Sequence, residues 1–447
     1  MADGRISIRN QLTWISLSQA ARGALQIVGT IALARILAPN DYGVMAIVGS
    51  FAALATLFAE FGTGAALIQK KTLTDELTDA VFSLNIFFGL ALSAAFFISA
   101  APISKFFNES RLNGAMIALS PVFLISSSGM VYRALLERSS SYRLLARIEI
   151  LSSTLALCSA IGVALAGGGV YALVTQSLAG AITASTLLFL CASATWRPRI
   201  AFRAKELRKI LGFSTNNFTF GFVNYLHRNS DSLLIGRLLG PVELGFYSTA
   251  YKILLLPLSN ITAVVNRASF SVYSRHQEKT ADIGRHYTQS LERIAFLTGP
   301  IMALIWSFRE PLVYYVLGEK WLRAAEILAW LAPVGFIQSL VSTSGTVFNS
   351  IGRSDLLRNL GIVGTVFFVG SFAVGIQWGI MGVAVCYFFA NALWICPVLA
   401  LVLKQLGTPS ATLISRLIKP LALSLVIAAA GRWTCLSTDW PSLSHLI

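Results

Sequence analysis

The sequence predicts an all-α integral membrane protein: two parallel-repeat six-helix lobes around a central cavity, followed by one extra C-terminal helix. Three observations lead there. The 447 residues are 55% hydrophobic and only 12% charged, with a mean hydropathy of +0.69, whereas ordinary soluble proteins carry roughly 25% charge. A soluble globule cannot hide that much apolar surface, and disorder needs the opposite composition, so lipid must be the main solvent. The apolar residues fall in runs of about 20 or more, the length a helix needs to cross a bilayer. The second half of the chain also repeats motifs of the first.

Taken in order, the runs span roughly 11–36, 42–68, 79–101, 112–136, 148–166 and 170–193. After a basic stretch come roughly 211–239, 244–272, 291–317, 324–349, 359–377, 380–403 and 413–431. Their glycine content and short loops suit helices, and the alternation of an outer-membrane barrel is missing. Four domains follow: a lobe over 1–193, a basic cytoplasmic linker over 194–210, a second lobe over 211–404, and the extra helix with a short tail over 405–447.

Charge placement supports the count. Of 35 Lys and Arg against 20 Asp and Glu, nineteen fall in loops on the side of the N-terminus, among them Lys70, Arg138, Arg199, Arg353 and Lys404. Only Lys105, Arg111, Lys320 and Arg323 fall on the opposite side. Cytoplasmic loops are the basic ones, so the N-terminus is expected inside. The net charge of +15 is therefore a topology signal, and a nucleic-acid surface is excluded.

The repeat runs from Arg35-Ile-Leu-Ala-Pro39-Asn-Asp41-Tyr-Gly43 to Arg237-Leu-Leu-Gly-Pro241-Val-Glu243-Leu-Gly245, a shift of 202. Arg138-Ser139 with Arg143 returns as Arg353-Ser354 with Arg358, a shift of 215. A longer loop around 273–290 is expected to absorb the difference. Six helices separate the copies, so the halves are parallel repeats about an axis along the membrane normal.

Several chemistries are excluded. Four of the five cysteines lie in apolar runs without a CxxC, and the four histidines form no HxxxH, so neither a disulfide framework nor a metal site is indicated. There is no P-loop and no GxSxG, and no cofactor is implied. The N-terminus does not read as a cleavable signal.

Polar residues deep in a span usually face a cavity or a partner. In the seventh span, Asn217, Gly221, Asn224, Arg228 and Asp231 share one narrow helical face, with His227 beside it. The shift of 202 carries that stripe onto Ile15, Gln19, Arg22, Gln26 and Gly29 of the first span. The two stripes are expected to line one cavity. A structural Arg228–Asp231 pair is the alternative for that couple. Arg22 sits too deep to snorkel, so its partner is another helix, water or a substrate. Lys252 is expected either to line the outer vestibule or to serve packing. Glu60 and Asp231 are the candidate proton or ion-coupling sites, Glu60 alternatively pairing with Arg22. Gln338, Ser342 and Asn349 form a second, weaker stripe. Arg133 with Glu137 reads as structural, Glu292 as lying near an inner helix end, and adjacent Arg309 and Glu310 cannot share a helix face. The deep cations outnumber the acids, which favours an anionic cargo, because guanidinium groups hold phosphate oxygens in bidentate fashion.

Glu60-Phe-Gly62 with Ala66-Leu-Ile-Gln-Lys70-Lys71, Val81-Phe-Ser-Leu-Asn85, Leu135-Leu-Glu-Arg138, Asp231-Ser-Leu-Leu-Ile-Gly236, Gly245-Phe-Tyr247 and Leu317-Gly-Glu-Lys-Trp321 follow the Pro39 motif in order. From about 10 to 405 the chain resembles the bacterial polysaccharide transporter family, the flippases of O-antigen and exopolysaccharide repeat units, within the multidrug/oligosaccharidyl-lipid/polysaccharide exporter superfamily. The resemblance implies a MATE-like fold in the bacterial inner membrane. It implies alternating access and an undecaprenyl-pyrophosphate-linked oligosaccharide as cargo. It also implies polysaccharide polymerase or co-polymerase proteins as partners and no enzyme activity. A cation-coupled drug or metabolite antiporter of the same superfamily is the alternative, which the deep arginines disfavour. A membrane polymerase or ligase would place reactive groups in a large outer loop, and here every outer loop is short. Many members carry fourteen spans, whereas here the thirteenth is followed only by a short polar tail.

Overall fold

The computed structural model describes residues 8–59, 67, 73–192, 196, 198, 199, 214–275 and 280–437. Every regular element among them is a helix, and the chain divides into two compact units, Met1–Tyr225 and Leu226–Ile447. The division falls inside the seventh span, downstream of the basic 194–210 stretch, most of which lies outside the described residues.

The N-terminal unit contains α1 (Ile8–Ile36), α2 (Pro39–Ala59), α3 (Asp75–Phe107), α4 (Arg111–Leu119), α5 (Pro121–Arg138), α6 (Tyr142–Leu165) and α7 (Val170–Ala192). Pro39 opens α2 after a two-residue turn from the end of α1, since a first-turn proline loses no helical hydrogen bond. Thr74 caps α3 by accepting from the Leu77 N–H at 3.4 Å. The fourth expected span is α4 plus α5, broken at Ser120 before Pro121. Small residues set the packing: a Cβ on Gly89 would sit 2.8 Å from the Ser127 Cβ, and one on Gly129 would meet Ser185 at 2.8 Å. This wedges α5 between α3 and α7, the close approach that small residues allow in membranes. Trp196, at the start of the basic stretch, is buried and packs edge-on against Phe82 at 5.7 Å.

The C-terminal unit takes in α8 (Ser214–Leu238), shared across the division, then α9 (Pro241–Arg275), α10 (Thr280–Ser307), α11 (Arg309–Val316), α12 (Leu322–Val341), α13 (Ser344–Ser350), α14 (Ser354–Gly375), α15 (Gly379–Gln405) and α16 (Ser410–Ser437). The turn from α8 to α9 matches that from α1 to α2: two residues, then a proline. Here Gly240 takes φ 91°, which glycine adopts at no steric cost. The longer loop expected around 273–290 is instead mostly helix, because α9 runs to Arg275 and α10 starts at Thr280. The polar residues there extend the helices beyond their apolar lengths. At Ser307 the chain bends by 77° into α11.

The thirteenth segment is an integral part of this unit. Ser307 Oγ donates to the Ala428 carbonyl at 2.9 Å, a Cβ on Gly431 would sit 2.9 Å from the Ser307 Cβ, and Gly299 lies against Ser424. Ion pairs close both ends of the contact, Arg416–Glu292 at 2.7 Å and Arg432–Glu310 at 2.7 Å. Glu292 is thus held by α16. Arg309 and Glu310 are joined at 2.9 Å, correcting the expectation that adjacent helical residues stay apart: at the first turn of α11 the long Arg309 side chain folds back to donate to the Trp306 carbonyl at 2.7 Å and also reaches Glu310.

Among the described residues, eight helical stretches are long and apolar enough to cross a membrane, one of which, Asp355–Leu406, takes in both α14 and α15. The bent pair α10–α11 passes the same test only when its two helices are taken together. Among the described residues, each of the thirteen expected segments falls on a helix or a broken helix, the second as far as Ala59. Large apolar side chains such as Ile98, Val366 and Leu425 are about 70% uncovered, a surface compatible with lipid and not with water. Helices α1, α8 and α9 fall outside the apolar set. They carry Arg22, Arg228, Asp231 and Lys252.

Candidate functional site

In the N-terminal unit, Gln19, Arg22 and Gln26 are all exposed along α1. Gly29, at the end of the expected stripe, is buried, and a Cβ there would come within 2.9 Å of Leu157 Cδ1. Its task is to let α1 and α6 approach. Arg22 is the middle residue of the 29-residue α1. Its Nε lies 3.5 Å from Glu149 Oε2 on α6. The other Glu149 oxygen accepts from Arg133 Nη2 on α5 at 2.7 Å, and Arg133 Nε donates to Glu137 Oε1 at 2.9 Å. Four alternating charges, Arg22, Glu149, Arg133 and Glu137, thus connect three helices. The arginine side chains are 42% and 49% exposed and Glu149 only 15%, so each guanidinium keeps an open side while the shared carboxylate is largely covered.

The expected partner of Arg22 on another helix is Glu149. Glu60 lies outside the described residues. Glu149 was missed because the fifth span was expected to begin at about 148, whereas α6 starts at Tyr142 and draws Glu149 two turns into the helix. Near that start, the Arg143 guanidinium lies 5.3 Å from the centroid of the Trp14 ring. Arg22, eight residues beyond Trp14, therefore stands about 12 Å along α1 from the level where α6 begins.

The C-terminal unit holds a different polar array. Asp231 is buried and accepts from the Tyr247 hydroxyl at 3.0 Å and from the Ser232 N–H at 2.6 Å. Tyr247 stacks on Tyr251, with ring centroids 6.0 Å apart. The Tyr251 and Tyr387 hydroxyls are 3.4 Å apart, Gln338 Nε2 donates to Tyr387 at 2.6 Å, and Gln338 Nε2 lies 3.4 Å from Asn391 Oδ1. The ladder crosses α8, α9, α12 and α15. The alternative of an Arg228–Asp231 pair gives way to Tyr247: Arg228 is exposed, like Asn224 one turn before it, while Asp231 turns inward. Lys252 follows Tyr251 on α9 and is exposed. Asn217 and His227 lie on α8, but their side chains are outside the described residues. Of the second stripe, Gln338 joins the ladder, whereas Ser342 Oγ donates to the Ser339 carbonyl at 2.8 Å. The tyrosines were not foreseen; their signal was Tyr247, Tyr251 and Tyr387 within otherwise apolar runs.

Comparison with known proteins places these features. The family described as "Polysaccharide biosynthesis protein" matches residues 32–326. Teichuronic acid biosynthesis protein TuaB of Bacillus subtilis is 27% identical over 344 residues, covering 77% of this chain and 71% of TuaB. Succinoglycan biosynthesis transport protein ExoT of Rhizobium meliloti is 24% identical over 402 residues, covering 89% of this chain and 78% of ExoT. Among solved structures, lipid II flippase MurJ in an inward closed conformation superposes with a TM-score of 0.76 at 15% identity, covering 96% of this chain and 93% of MurJ. An inward-facing multidrug resistance MATE family transporter of the MOP superfamily gives 0.71 at 14% identity, covering 89% of this chain and 98% of its own. The fold is shared with both.

Proposed function

Because the chain belongs to the polysaccharide biosynthesis protein family, we propose that it flips undecaprenyl-pyrophosphate-linked oligosaccharide repeat units. It carries them from the cytoplasmic to the outer leaflet by alternating access, for exopolysaccharide, O-antigen or capsule synthesis. No bond is made or broken. The observation that carries this reading is Arg22, midway along α1 with an open guanidinium where an isolated charge in lipid would be costly. A phosphate oxygen pair matches that fork. Gln19, Gln26, Asn217, Asn224, His227, Arg228 and Lys252 are assigned to the cargo path. The protein sits in the cytoplasmic membrane with its N-terminus inside, and residues 194–210 link the two lobes on the cytoplasmic face. Polymerase or co-polymerase proteins receive the exported unit.

A second reading, a cation-coupled antiporter, draws on Asp231, buried beneath stacked tyrosines. In the first reading the same carboxylate serves ion coupling. A deletion strain separates them. A flippase mutant accumulates lipid-linked repeat units on the cytoplasmic side and loses polysaccharide. A strain that loses only drug tolerance supports the antiporter.

A further inference from the structure

We propose that Glu149 is a built-in stand-in for the cargo's diphosphate, a displaceable anion that holds Arg22 and Arg133 as the two arms of one diphosphate subsite. The inference rests on the flippase reading and adds to it a second binding arginine and an internal competitor.

The geometry is that of a bridged anion. One carboxylate gives one oxygen to each guanidinium: Oε1 to Arg133 Nη2 at 2.7 Å and Oε2 to Arg22 Nε at 3.5 Å. Two phosphate oxygens of a diphosphate offer the same bridge. The contacts are unequal. Arg22 is held loosely and is free to turn toward a ligand. Arg133 stays in place when Glu149 leaves, because Glu137 holds its Nε at 2.9 Å from the same helix. Both guanidinium groups keep an open side and the carboxylate is largely covered, so an incoming anion reaches the arginines before it reaches Glu149.

Charge explains why the stand-in is needed. Two arginines facing one site repel each other, and Glu137 offsets the charge of Arg133 alone. Together with Glu137, the single negative charge of Glu149 neutralises the empty site. A diphosphate brings at least two, so it outcompetes the carboxylate, whereas a neutral lipid or an organic cation does not. When the diphosphate departs, Glu149 recaptures both arms and prevents rebinding.

The test uses the purified full-length protein in lipid nanodiscs, titrated separately with inorganic pyrophosphate, undecaprenyl diphosphate and undecaprenyl monophosphate. Glu149→Gln should bind pyrophosphate about tenfold more tightly than wild type, and Arg133→Gln and Arg22→Gln about tenfold more weakly. Cells carrying Glu149→Gln should export less polysaccharide at normal protein level, because the cargo is released slowly. Binding by Glu149→Gln that is unchanged or weaker, or by Arg133→Gln that equals wild type, overturns the proposal. So does equal affinity for the monophosphate and diphosphate lipids. Should Glu149→Gln fail to fold, Glu149→Asp keeps the charge but falls short of Arg22, and must also bind more tightly. Wild-type protein that binds neither diphosphate probe defeats the flippase reading itself. Wild type that binds, with no tightening in the Glu149 variants, defeats only the displacement.

Discussion

Arg323 Nη2 lies 2.8 Å from Glu243 Oε1, tying the start of α12 to the start of α9. Its counterpart joins Arg111 at the start of α4 to Asp41 at the start of α2, at 3.3 Å. Asp41 and Glu243 are the acids of the repeated Pro39 and Pro241 motifs, each three residues into its helix, where a carboxylate also faces the positive end of the helix dipole. The repeat seen in the sequence is thus a repeated contact. Both pairs are partly exposed, so each contributes modestly. Glu243→Gln or Arg323→Gln should lower Tm by about 1–3 °C, and the exchange Glu243→Arg with Arg323→Glu should recover most of it. Tryptophan fluorescence during heating in detergent reads this, and singles that melt like wild type would show the pair to be idle.

Tyr247 supplies a hydroxyl donor to a buried carboxylate. Tyr247→Phe leaves Asp231 with one partner fewer in the same volume, and the cost of such an orphaned group is about 1–3 kcal/mol. Adding Asp231→Asn should restore stability, because the neutral amide tolerates burial better than the ion. Thermal unfolding of the two variants checks this, and a double variant less stable than Tyr247→Phe would contradict it.

Arg22 is assigned to the cargo. Arg22→Gln should reduce polysaccharide export at least tenfold with protein level unchanged, and Arg22→Lys should recover only part, since an ammonium lacks the guanidinium fork. Quantitative polysaccharide assays alongside immunoblots decide the matter. Full export by Arg22→Gln would remove this arginine from the mechanism.

Gly431 lets α16 lie against Ser307. Gly431→Val introduces atoms where even a Cβ is 2.9 Å from the Ser307 Cβ, so α16 must shift, at a cost of about 1–3 kcal/mol. The expected result is a lower Tm with an unchanged helical signal in circular dichroism. An unshifted Tm would mean that α16 is only loosely applied.

The helices and the repeat were legible because they are long-wavelength features: runs of about 20 apolar residues, and a proline motif that returns with its acid. The site was half legible. The deep polar residues of α1 and α8 stood out against an apolar background, but their partners did not, since Glu149 lies 127 residues from Arg22 along the chain and falls at the very start of the expected fifth span. Burial was also unreadable from spacing. Asn224, Arg228 and Asp231 share one helical face in projection, yet Tyr247 draws Asp231 inward while the other two stay open. Arg309 and Glu310 defied a helical-wheel argument because they open α11, where the long Arg309 side chain folds back along the chain and meets its neighbour.

The stop between α10 and α11 also turns the chain aside. A segment bent by 77° no longer follows the axis of the helix before it, and the eight residues of α11 reach only about 12 Å. On α11, Tyr314 and Tyr315 are 36% and 56% exposed, side chains of the kind that favour lipid headgroups where a helix meets a membrane surface. With the Arg432–Glu310 pair tying it to α16, this short helix braces the end of α16 against the bend.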